Sequence, residues 1–79
     1  MNAEVEKHIG KNIRDLREKA GLTQEMLSAQ LQVRGCDITR SALAKIEVGQ
    51  RHIYPDELKL LKEILNTEYS ALLDINEDS

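Results

Sequence analysis

The sequence predicts an all-α domain of five helices. Three observations carry that prediction. Apolar residues recur every three or four positions along most of the chain, most runs open on a capping residue, and each of the four longer runs ends at a glycine or asparagine. Four Gly and one Pro are too few for the frequent turns of a many-stranded β protein. A length of 79 residues supports one domain with one modest core, expected to span 1–79. With no Trp, no Phe and only Tyr54 and Tyr69, that core must be aliphatic.

Helix 1 is expected over about 4–20. Val5, Ile9, Ile13, Leu16 and Ala20 form one stripe, with Lys7, Lys11, Arg14 and Glu18 outside it. Gly10 interrupts the pattern at a cost of about 1 kcal/mol relative to Ala, which a close helix contact would explain. Gly21 reads as the residue just past the helix end. Helix 2 follows over about 24–32. Thr23 is its expected N-cap, Glu25 complements the dipole in its first turn, and Leu27 and Leu31 face inward with Met26 beside them.

"VRGCD" breaks the periodicity at Gly35 and Asp37. Ile38–Thr39 then repeats the Leu22–Thr23 arrangement, so helix 3 is expected over about 40–48. Thr39 caps it, Leu43 and Ile46 are buried, and Gly49 stops it. Pro55 suits the first position of helix 4, about 55–65, whose stripe is Leu58, Leu61, Ile64 and Leu65. Asp56 and Glu57 complement its dipole. Asn66 ends it, and Thr67 is the expected cap of helix 5, about 68–73. Residues 74–79 read as a frayed acidic tail.

Charge is segregated along the chain. The net value is −3, yet residues 7–51 carry nine Lys or Arg against five Asp or Glu, a net +4. Residues 52–79 carry two against seven, a net −5. The first two-thirds can therefore present a positive face. Several function classes are excluded on spacing. His8, His52 and Cys36 share no short ligand interval, so no metal site is expected. Cys36 has no His partner in register, and neither a phosphate loop nor a dinucleotide fingerprint occurs, so no enzyme and no cofactor are expected. A single cysteine, no secretion-type N-terminus and no long apolar run point to the cytoplasm.

Two stretches carry the functional argument: "GLTQEMLSAQL" and "ITRSALAKIEVGQR". Together they resemble the lambda-repressor-like helix-turn-helix family, which includes phage repressors, Cro and the xenobiotic-response-element regulators. The matching residues are Arg17, Gly21, Leu22, Thr23, Gln24, Glu25, Leu27, Leu31, Ile38, Thr39, Arg40, Ser41, Lys45, Ile46, Glu47 and Gly49. The resemblance covers residues 9 to about 73. Two departures stand out. Six residues, Gln32 to Asp37, separate Leu31 from Ile38 where the family has a very short turn, and Ser28 stands where the family prefers Ala. The Ser28 hydroxyl can bond back to its own helix.

The resemblance implies a five-helix DNA-binding domain whose helices 2 and 3 form the helix-turn-helix. It places Arg40, Ser41, Ala44 and Lys45 on the face that reads bases in the major groove. Arg40 suits a bidentate pair with guanine, Lys45 a guanine or a phosphate, and Ala44 a thymine methyl. Without the resemblance, Arg40, Ser41 and Lys45 would read as ordinary solvated positions. Phosphate contacts are expected from Thr23, Gln24 and Thr39 at helix starts and from Gln50, Arg51 and His52 after helix 3. Lys11 and Arg14 read as a solvated helix face. The family pairs Arg17 with Glu47 as a structural salt bridge.

The function expected is sequence-specific binding of double-stranded DNA and transcriptional regulation as a repressor. The expected partner is a two-fold operator, bound by a homodimer that pairs through Tyr69, Leu72, Leu73 and Ile75; closing the core is the other reading of those residues. No small-molecule ligand and no membrane partner are expected. The resemblance places the chain at a bacterial or phage-type nucleoid. The competing reading is a protein-interaction module of the same fold, such as an antitoxin or adaptor.

Overall fold

The computed structural model describes residues 3–74 and contains five helices: α1 (Ala3–Lys19), α2 (Gln24–Val33), α3 (Arg40–Glu47), α4 (Pro55–Ile64) and α5 (Tyr69–Leu73). The order and number match the sequence reading, and the ends differ by a residue or so. Ala20 and Val48 fall just outside α1 and α3, and Glu68 rather than Thr67 stands at the start of α5, without a side-chain cap.

The caps of α2 and α3 form alike. Thr23 Oγ1 accepts from the Met26 N–H at 3.0 Å, and Thr39 Oγ1 accepts from the Ala42 N–H at 3.1 Å. Each satisfies a backbone donor that the first turn leaves free. The stops are equally regular. After α1, α2, α3 and α4 the chain turns at Gly21, Gly35, Gly49 and Asn66, all at positive φ. The next residue's N–H then reaches back five positions, as Leu22 to Arg17, Cys36 to Leu31, Gln50 to Lys45 and Thr67 to Lys62. This is the paired-bond ending that satisfies the last carbonyls of a helix.

The core is aliphatic: Ile13, Leu27, Leu31, Ile38, Leu43, Ile46, Leu61, Leu65 and Leu72 are buried. Ile13 holds the centre of the α1 stripe, with Ile9 and Leu16 packed at its edge, while Val5 is half-buried and Ala20 is exposed. Met26 lies outside the core as well, 46% exposed, because it sits on the outer face of α2. Leu72 is a correction to the expected dimer surface. It is fully buried and closes the core, so it is not available to a partner. Tyr69 and Leu73 remain partly exposed, and Ile75 lies outside the described residues.

Gly10 marks the closest approach between helices. A Cβ there would collide with the Ile46 carbonyl oxygen and lie 2.8 Å from that of Glu47. Only glycine lets α1 lie directly on the C-terminal end of α3. The end of α5 is tied to α1 as well, since Asn12 Nδ2 donates to the carbonyls of Leu72 at 2.9 Å and Asp74 at 2.8 Å. The first residue of the expected frayed tail is therefore anchored; the rest of that tail lies outside the described residues. Among the described residues no helix is long and apolar enough to cross a membrane.

Candidate nucleic-acid interface

The site is built around the two ends of α3. At its C-terminal end, Glu47 is buried among polar partners. Arg17 Nε donates to Glu47 Oε2 at 2.7 Å and Arg17 Nη2 to Oε1 at 3.1 Å. The remaining guanidinium arm donates from Nη1 to the Leu22 carbonyl at 2.8 Å. One arginine thus ties the end of α3 to the residue before the α2 cap. The Glu47 hydrogen bonds outweigh burial and hold Arg17 above its ordinary pKa. Gln24 completes the group: its Nε2 donates to Glu47 Oε1 at 3.0 Å. The Gln24 amide at the start of α2 is oriented by the same carboxylate that Arg17 holds.

At the N-terminal end, Arg40 is exposed and shares a shallow cleft with Arg17, Leu22, Thr23, Gln24 and Glu25. The fold therefore brings Thr23, Gln24 and Arg40 together from residues 16 or 17 positions apart. Ser41 and Lys45 are exposed and Ala44 half-buried, all off the Leu43–Ile46 stripe. Thr39 is exposed one residue before Arg40, its hydroxyl oxygen occupied by the cap. Among the described residues, neither Arg40 nor Lys45 has an ion-pair partner.

The loop between α3 and α4 is different. Arg51 is engaged within the chain: Nη1 donates to Glu57 Oε1 at 3.0 Å and to the His52 carbonyl at 2.8 Å, and Nη2 to Glu57 Oε2 at 3.1 Å. His52 Nδ1 lies 2.8 and 2.9 Å from the two carboxylate oxygens of Glu6 on α1. Gln50 is exposed. Two of the three loop residues named as phosphate contacts are thus held against carboxylates.

Sequence reasoning missed Glu57. Its place in the first turn accounts for it only as a dipole-complementing residue, but it is buried, and its Oε1 also accepts from the Tyr54 N–H at 3.0 Å. Burial pushes its carboxyl upward; the Arg51 hydrogen bonds, the Tyr54 N–H and the Arg51 charge together pull it below its ordinary value. The signal was the Tyr54-x-x-Glu57 spacing of a capping box, obscured because Tyr rather than Ser or Thr occupies the cap. Ser28 does not bond back to its own helix as expected. Its hydroxyl bonds across the turn to the Ile38 carbonyl at 2.8 Å.

The Cys36 thiol is pushed up by burial and by the carboxylates of Glu57 and Asp56, which keeps it protonated. Among the described residues no cluster of His, Cys, Asp and Glu could hold a metal ion.

The profile of the helix-turn-helix family matches residues 13–72, which contain every residue of the cleft and of the loop. The fold is similar to the crystal structure of the DNA-binding domain of BldD, with a TM-score of 0.78 at 23% identity, over 92% of this chain and 99% of that one. No curated protein matches the chain. With the family pattern spanning α2, the turn and α3 in their observed positions, the chain belongs to the lambda-repressor-like helix-turn-helix family of DNA-binding regulators, which are not enzymes.

Proposed function

We propose that the chain is a sequence-specific regulator of transcription, a repressor, that inserts α3 into the major groove of double-stranded DNA. The observation that carries this reading is the cleft in which Arg40, with no ion-pair partner among the described residues, stands beside Thr23 and Gln24 at the start of α2. A helix N-terminus with a fixed amide favours a phosphate, and an arginine at the start of the next helix is placed for a base edge. The neighbour in fold is described as a DNA-binding domain, which supports the same reading.

In this reading Arg40, Ser41, Ala44 and Lys45 read bases, and Thr23, Gln24, Thr39 and Gln50 contact phosphates. Arg51 and His52 join them only by releasing Glu57 and Glu6. Two copies bind half-sites about 34 Å apart, since one helix reads too few base pairs for selectivity. Tyr69 and Leu73 are the exposed apolar residues of α5 that such a dimer would use. A cytoplasmic, nucleoid-associated location follows from the same function.

The test is selection of the purified protein on a randomised duplex library at two salt concentrations. Enrichment of a two-fold motif, with affinity falling steeply as salt rises, is the expected result. Absence of enrichment at low salt would overturn it and favour a protein-interaction module.

A further inference from the structure

The turn between α2 and α3, residues 34–39, is closely held. Its last buried residue, Ile38, is fully enclosed, and its carbonyl oxygen cannot reach water. Ser28 Oγ, itself 4% exposed, donates to that oxygen at 2.8 Å. Gln32 Nε2, one turn further along α2, lies 3.3 Å from the same oxygen and 3.3 Å from Ser28 Oγ. Two α2 side chains therefore converge on one carbonyl, two residues before Arg40. Within the turn, Cys36 N–H bonds to the Leu31 carbonyl at 2.9 Å and Ile38 N–H to the Cys36 carbonyl at 2.9 Å. A six-residue connection has more freedom than a short one, and these bonds remove it.

We infer that Ser28 and Gln32 are positioning residues for DNA reading: they clamp the Ile38 carbonyl and so set the start of α3, and with it Arg40, against α2. This rests on the proposed function. The turn leaves a buried carbonyl that needs donors, and the Ser28 hydroxyl, which alanine could not offer, supplies the shorter of the two bonds. The far end of α3 is fixed separately through Glu47, so the clamp governs the tilt of the reading end.

The experiment compares the intact chain with Ser28→Ala, Gln32→Ala and the double variant. Each is titrated against the operator found by selection and against a scrambled duplex of equal length. Leu65→Ala serves as a control that weakens the core away from the turn. The expected result is a fall in the ratio of specific to non-specific affinity of about fivefold or more for Ser28→Ala, less for Gln32→Ala and most for the double variant. Scrambled-duplex binding stays unchanged, and Leu65→Ala keeps the full ratio despite a lower melting temperature. Should the intact chain discriminate while Ser28→Ala and the double variant keep its ratio, the clamp is overturned and the function stands. Should the intact chain show no discrimination, the functional reading falls and the clamp's role with it. A matching fall for Leu65→Ala would reduce the clamp to a general contribution to stability and overturn it as a positioning device.

Discussion

The cleft between α2 and α3 and the loop between α3 and α4 both carry basic residues, but they use them oppositely. Behind the cleft the buried acid is spent on structure: Glu47 is taken up by Arg17 and Gln24, while among the described residues Arg40 has no ion-pair partner at the surface. In the loop the bases are spent on structure: Arg51 is taken up by Glu57, and His52 by Glu6. A count of charges along the chain treats the two regions alike. Pairing distinguishes them, because a cation already hydrogen-bonded to a carboxylate must lose that partner before it can serve a phosphate.

The contrast breaks most severely at Glu47. Glu47→Ala leaves the Arg17 guanidinium, 9% exposed, without its carboxylate, and frees Gln24 from the carboxylate that orients its amide. Removing one member of a buried pair costs about 3–5 kcal/mol. Denaturant unfolding of the variant is expected to show a loss of that size. A loss below about 1 kcal/mol would mean that the pair behaves as a surface pair does.

The next effect compares Arg40→Ala with Arg51→Ala in DNA binding. Arg40→Ala is expected to weaken operator binding by about 1–3 kcal/mol and relax one base position, with the melting temperature unchanged. Arg51→Ala is expected to leave sequence preference alone and instead lower stability by about 1 kcal/mol, since the Arg51 side chain is 29% exposed and its partner Glu57 is 11% exposed. Binding isotherms on operator and single-base variants, with unfolding curves alongside, separate the two. If Arg51→Ala relaxed a base position as well, the loop would be a reading element and the contrast would fail.

The fold was largely legible because its determinants are local. Thr23 and Thr39 cap, Gly21, Gly35 and Gly49 stop, and Ile13, Leu27, Leu31, Leu43 and Ile46 keep helical spacing. None of these needs knowledge of the tertiary arrangement. Gly10 could be flagged but not explained, since its reason is a carbonyl 36 residues away. The site was legible only in its residue types. That Arg51 meets Glu57, that His52 meets Glu6, and that Ser28 serves Ile38 rather than its own helix all depend on how the α3–α4 loop and the α2–α3 turn fold back. Leu72 failed for a related reason. In a five-residue helix, periodicity cannot separate the face that closes a core from the face that meets a partner.

The smallest expected effect concerns acid. Glu57 is held below its ordinary pKa in the folded chain, so it binds a proton less readily there than in the unfolded chain. Its contribution to stability is therefore complete above the unfolded carboxylate range and is lost as pH falls through the lowered folded value. Arg51→Ala removes most of what lowers it while burial still opposes the charge. The stability gap between the intact chain and Arg51→Ala should stay level near neutral pH and narrow as pH falls through the ordinary carboxylate range toward the lowered folded value. Carboxylates that do not interact with Arg51 titrate in both proteins and cancel in the difference. Urea unfolding midpoints taken in parallel across that range give the gap directly. A gap that remained constant down to the lowest pH at which both proteins fold would show that Arg51 contributes through its bond to the His52 carbonyl and its packing on the Tyr54 ring, 5.9 Å away, rather than through Glu57.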